Sequence, residues 1–228
     1  MAGRIIEAGL AKNFKATEFG AEIEKALKAL KKADKQLAQV IKNVGACTLK
    51  PDDIQSPFMA LAESIVYQQL SGKAAATIFG RVKALFAESG GMTAEEILTT
   101  SVQTLRSAGC SNAKALALID LAEKTVSGVV PTVERLHTMP DDEIIERLVS
   151  IRGVGKWTVE MMLIFRLGRM DVMPATDYGI RKGFALTYGL ADLPAPKEIL
   201  AHSEIWKPYR TVASWYLWRC LELPAEAW

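Results

Sequence analysis

Apolar residues return every third or fourth position along most of this chain, and outside those stretches no alternating apolar–polar run exceeds four residues. That period belongs to helices buried by one face, so the pattern predicts an all-α protein. Start signals punctuate it. Ser56-Pro57 pairs an N-cap with proline at the first helical position, opening PFMALAESIVYQQL. Ser71 caps GKAAATIFGRVKALF, Thr93-Ala94-Glu95-Glu96 fits a capping box, and Ser111 begins NAKALALIDLAEKTV. Asp141 or Asp142 opens DDEIIERLVSI, Thr176 or Asp177 opens YGIRKGFAL, and Pro208 precedes YRTVASWYLWRCL. Breaks fall at Gly90-Gly91, Gly128 to Pro131, Met139-Pro140 and Leu193 to Pro196. The pattern amounts to about ten helices with short connections. KALKALKKADK, residues 25–35, reads as a helix with a solvated charged face.

One junction stands out. DDEIIERLVSI carries Ile144, Ile145, Leu148 and Ile151 at helical spacing, Gly153-Val154-Gly155 comes next, and TVEMMLIF resumes the helical pattern. Glycines let the backbone bend and approach a ligand, and a helix beginning there turns its amide-rich end outward, where it suits phosphate. A lone acid, Asp177, lies further on in MPATDYGIRKGF. A phosphate clamp leading to one carboxylate points to chemistry on nucleic acid.

Composition narrows the class without changing it. The 228 residues suffice for one large domain or two small ones. No apolar run reaches membrane-span length, and the N-terminal MAGRIIEAGLAKNF is too charged for a secretory signal. Cys47, Cys110 and Cys220 are isolated and odd in number, which suits a reducing compartment. With His137 and His202 as the only histidines, transition-metal ligands are scarce. The expected setting is cytoplasmic, in association with the nucleoid or inside the nucleus according to the kind of cell. Net charge is +2, spread as 10 basic against 5 acidic residues in 1–50, 8 against 13 in 51–150, and 10 against 8 in 151–228. Charge alone does not single out a nucleic-acid binder.

Four blocks in order, SIVYQQLSGKAA (64–75), GCSNAKALALIDLA (109–122), the hairpin with its acid (144–184) and IWKPYRTVASWYLW (205–218), resemble the helix-hairpin-helix DNA glycosylases. The AlkA-type 3-methyladenine DNA glycosylases II are the nearest branch, and the similarity runs from about Ser56 to Arg219. The resemblance implies two helical subdomains with a DNA-binding cleft, residues 1–55 joining 170–228 and residues 56–169 forming the second, with the helix-hairpin-helix at about 141–166. It implies the compact form, without the β-rich N-terminal domain of larger relatives.

The same resemblance implies roles, each set against a plainer reading. Asp177 is the catalytic aspartate; alone it reads as a helix cap. Trp157, Tyr178 and Trp206 match aromatic walls of a base pocket, joined by Met161 and Ile164 on the face of Trp157; any of these also reads as core. Trp157 replaces the lysine of bifunctional relatives, and the adjacent Lys156 points about 100° away, so hydrolysis without lyase chemistry is implied. Leu70 matches the wedge that enters the duplex, with Gln69 and Ser71 beside it; the plain reading is a helix-end leucine. Gly153, Gly155 and Lys156 meet phosphate. Ser111 and Lys114 touch the DNA backbone, or serve as a cap and a solvated lysine. No cofactor is required, although main-chain carbonyls of Val149, Ile151 and Val154 suit Na⁺ or K⁺. The implied function is monofunctional excision of alkylated purines from duplex DNA by a monomer that makes no membrane contact. The alternatives are a non-catalytic helix-hairpin-helix DNA-binding protein and a bifunctional glycosylase-lyase for oxidised bases.

Overall fold

The structure is a computed structural model that describes the backbone of residues 2–52 and 54–224, with side-chain surroundings from residue 18 onward. Among the described residues there is no β-strand and no helix long and apolar enough to cross a membrane. The α-helices are α1 (Ala2–Ala33), α2 (Lys35–Val44), α3 (Pro57–Tyr67), α4 (Gly72–Ala84), α5 (Ala94–Leu98), α6 (Val102–Ser107) and α7 (Asn112–Val126). They continue as α8 (Val133–Thr138), α9 (Asp141–Leu148), α10 (Lys156–Phe165), α11 (Tyr178–Tyr188), α12 (Pro196–His202) and α13 (Arg210–Arg219). The helices that the sequence pattern does not reveal, α6, α8 and α12, are short and bury Leu105, Leu136 and Ile199 respectively. A single buried position gives no period to detect.

Local chemistry explains most starts. The hydroxyls of Ser56, Thr93, Ser101, Ser111 and Thr132 each accept the amide three residues on, and Pro57 occupies the first turn of α3. At α9 the expectation needs correction. Pro140 takes the cap position without a side-chain bond, and Asp141, Asp142 and Glu143 instead fill the first turn, where their charges complement the positive helix end.

The chain divides into two compact units, Met1–Asp52 with Leu163–Trp228, and Asp53–Met162. The second boundary falls inside α10, earlier than the expected position near 170. In the first unit α11 packs on α13, and α2 packs on both. Gly183 permits that approach: a Cβ there would sit 2.0 Å from the Leu217 carbonyl oxygen. Its core includes Leu30, Leu37, Ile180, Val212, Tyr216 and Leu217. In the second unit α7 is central, packed on α3, α5 and α6, with α3 also against α4. Leu61, Ile65, Phe79, Leu118, Leu121 and Ile144 are buried there.

KALKALKKADK is not one uninterrupted helix. It breaks at Asp34, which is buried and caps α2 through the Leu37 amide. The same carboxylate, at Oδ2, accepts from the Tyr188 hydroxyl and, at 3.0 Å, from the Trp206 indole, and His202 Nε2 lies 3.1 Å away.

Candidate functional site

In the first unit Asp177 stands immediately before α11. Its Oδ1 accepts the Ile180 amide at 2.8 Å, so the cap reading is correct. The cap does not exhaust the residue. The indole of Trp218, projecting from α13, donates to the same oxygen at 2.8 Å. Trp218 stacks in turn on Phe165, ring centroids 5.8 Å apart and planes 27° from parallel. Tyr178, next in sequence, is 65% exposed. An acid oriented by two donors, beside aromatic surface, suits work on a cationic sugar or base.

Sequence reasoning missed Trp218. The signal was a further tryptophan in the block IWKPYRTVASWYLW. Trp206, expected in the pocket, is a core residue: 1% exposed, with its N–H given to Asp34. It borders a separate recess of about 370 Å³ lined also by Ala29, Leu30 and Lys207. Ile164 is likewise fully buried.

The hairpin is α9, a turn, and α10, of which all but the end of α10 lies in the second unit. Gly153 has φ +77°, a left-handed conformation that side chains resist, and a Cβ on it would press the Cβ of Ala117 at 3.3 Å. Gly155 differs: its missing Cβ would face open space, leaving room for an approaching group. Asp120 of α7 accepts the Arg152 amide at 2.7 Å and the Lys124 ammonium at 3.0 Å, while that ammonium also donates to the Ser150 carbonyl at 2.7 Å. Burial raises the Asp120 pKa, but these bonds outweigh it and hold the carboxyl below its ordinary range. The turn is therefore braced from α7. Lys156 begins α10 with its ammonium largely in solvent, 3.7 Å from Glu160.

Beside the hairpin lies a cavity of about 440 Å³ lined by Ser64, Tyr67, Gln68, Gln69, Trp157, Thr158 and Met161. Trp157 and Met161 thus share one recess, as their spacing predicted, and Trp157 is 45% exposed. Tyr67 joins them without having been foreseen. Gln69 and Leu70 are exposed at the turn after α3, and Gln69 has φ +58°, the one left-handed non-glycine among the described residues. Such a conformation costs about 1–3 kcal/mol and is often kept where a site needs it. Ser71 and Ser111 are exposed helix caps, their hydroxyls 3.5 Å and 3.3 Å from the Ala74 and Lys114 amides. Lys114 corrects another expectation. Its ammonium turns inward and donates to the Val66 and Gln68 carbonyls, 2.8 Å each, rather than offering itself to a phosphate.

Residues 62–208 match the family described as HhH-GPD superfamily base excision DNA repair protein. Over 169 residues, 74% of each chain, the sequence is 43% identical to DNA-3-methyladenine glycosylase 1 of Schizosaccharomyces pombe. It is 32% identical over 203 residues to the alkylbase DNA glycosidase-like protein mag2 of that organism, covering 89% of this chain and 95% of the other. The S. pombe 3-methyladenine DNA glycosylase (Mag1), solved in complex with abasic DNA, matches with a TM-score of 0.75 at 40% identity, over 87% of this chain and 97% of that one.

The chain belongs to the HhH-GPD superfamily. The α9–turn–α10 unit is its helix-hairpin-helix, and the family match spans the Gln69 turn, the hairpin and Asp177. It ends before Trp218, the donor that the fold brings onto the acid of this HhH-GPD chain.

Proposed function

We propose that this protein is a monofunctional DNA glycosylase for alkylated purines, 3-methyladenine and 7-methylguanine first among them, acting as a monomer on duplex DNA in base excision repair. The names of its S. pombe relatives support the substrate class. The observation that carries the chemistry is Asp177, oriented at one oxygen by the Ile180 amide and the Trp218 indole.

Cleaving an N-glycosidic bond develops positive charge on the sugar, as in glycoside hydrolysis. An alkylated purine departs already cationic and needs little protonation. The remaining work is to stabilise the sugar cation and to take a proton from the attacking water, both within reach of one carboxylate. Aromatic faces at Trp157 and Tyr67, which line one cavity, attract a cationic base by stacking and cation–π contact. Gly153, Gly155 and Lys156 engage phosphate, and the Gln69–Leu70 turn fills the space left when a nucleotide leaves the stack.

One feature of the hairpin turn supports a monovalent cation there. The Ile151 carbonyl accepts the Val154 amide at 3.0 Å, which leaves that oxygen a second lone pair. With the carbonyls of Val149 and Val154 it would hold Na⁺ or K⁺, adding positive charge near a bound phosphate.

Mass spectrometry of bases released from dimethyl-sulfate-treated DNA tests the reading. Methylated purines are expected from the parent protein. Asp177→Asn should slow release roughly a hundredfold to a thousandfold while duplex binding persists. Borohydride should trap no covalent adduct. Equal release by variant and parent removes Asp177 from the mechanism.

A further inference from the structure

Lys114 occupies an unusual place for a lysine. It lies in the first turn of α7, where a positive charge opposes the helix dipole. Its ammonium crosses to the end of α3, where carbonyls lack helical partners and the dipole is negative. There it donates to the Val66 and Gln68 carbonyls at 2.8 Å each. Burial lowers its pKa, the cost of drawing this charge out of water.

Directly beyond those carbonyls the chain enters the strained turn. Gln68 leaves the helix, Gln69 adopts φ +58°, and Ser71 starts α4. From the other side the Gln68 side-chain amide donates to the Gly153 carbonyl at 2.8 Å, tying the turn to the hairpin. At this end of α3 the Lys114 ammonium acts as the cap.

We propose that Lys114 is a positioning residue for nucleotide extrusion, holding the Gln68–Leu70 turn in the shape that enters the duplex. The proposal rests on the glycosylase reading. A turn ordered beforehand loses no entropy at the moment of insertion, so the benefit is greatest where the nucleotide must be forced from an intact pair.

The test compares single-turnover release of 7-methylguanine from a paired duplex with release from a one-nucleotide bulge, where unpairing costs nothing. Lys114→Met is expected to slow the paired substrate about tenfold or more, the effect of losing a charged hydrogen bond, and the bulged one far less. Lys114→Arg should restore most of the paired rate. Should Lys114→Met not fold, Lys114→Gln, which keeps a donor without the charge, gives the same ratio. An equal loss on both substrates, or none on the paired one, overturns the assignment to Lys114. A parent protein inactive on both overturns the glycosylase reading beneath it.

Discussion

Two donors converge on one oxygen of Asp177, and they differ in origin. The Ile180 amide is supplied by α11 itself, so any N-cap aspartate would have it. The Trp218 indole is supplied by a helix 41 residues away and does nothing for the cap. Trp218→Phe keeps an aromatic ring to face Phe165 while deleting the donor, together with part of the indole's volume. A hydrogen bond to a charged acceptor is worth about 1.5–3 kcal/mol, so single-turnover excision should fall roughly ten- to hundredfold, with lesion affinity retained. In an Asp177→Asn background the same change should add nothing; an additive loss would mean that Trp218 acts by another route. Asp177 was singled out in the sequence through the resemblance of its block to the glycosylases, since by itself it reads as a helix cap. Nothing in the sequence chooses Trp218 over Trp206, since the three tryptophans of one block look alike until Trp206 is buried on Asp34 and Trp218 is brought to Asp177.

The hairpin shows how an element borrows order from its neighbour. Its glycines and flanking periodicity were visible in the chain, yet nothing local announced that Asp120 and Lys124 of α7 brace it. Asp120 accepts from the Arg152 amide and Lys124 donates to the Ser150 carbonyl, so the turn keeps its shape without relying on its own contacts alone. The Val149, Ile151 and Val154 carbonyls of this turn would hold the proposed cation. Exchanging K⁺ for tetramethylammonium at constant ionic strength should therefore weaken duplex binding severalfold, as measured by fluorescence anisotropy. Affinity that is indifferent to the exchange would argue against a bound ion. Raising total salt should weaken binding whichever ion is present, because phosphate contacts release counterions.

At the scale of the whole chain, distant segments meet in buried polar contacts. Asp34, between α1 and α2, receives Tyr188 from the end of α11, Trp206 after α12, and the His202 ring. Burial raises the Asp34 pKa, but the hydrogen bonds from Tyr188, Leu37, His202 and Trp206 prevail and leave it below the usual carboxylate range. A depressed folded pKa means that the ionised group stabilises the fold above the unfolded value, near 3.9, and that this contribution is lost as pH falls toward the folded value. Thermal unfolding should thus show an acid limb beginning at about pH 4–5, flattened in Asp34→Asn. At neutral pH Asp34→Ala should cost roughly 2–4 kcal/mol by stranding buried donors. An unchanged acid limb in Asp34→Asn would assign it to other carboxylates.

Sequence alone determined that the chain is helical, where most helices begin, that a glycine hairpin precedes a single acid, and that Trp157 and Met161 share a face. All of these depend on residues within a few turns of one another, where spacing and capping chemistry operate. Tertiary structure decided which tryptophan serves Asp177, that Lys114 turns inward beneath the Gln69 turn, that Asp34 interrupts an apparently solvated helix, and that Tyr67 joins the aromatic recess. Each of these depends on side chains far apart in sequence. Their partners are selected by packing and by the need to satisfy buried charge, and neither leaves a local periodic trace.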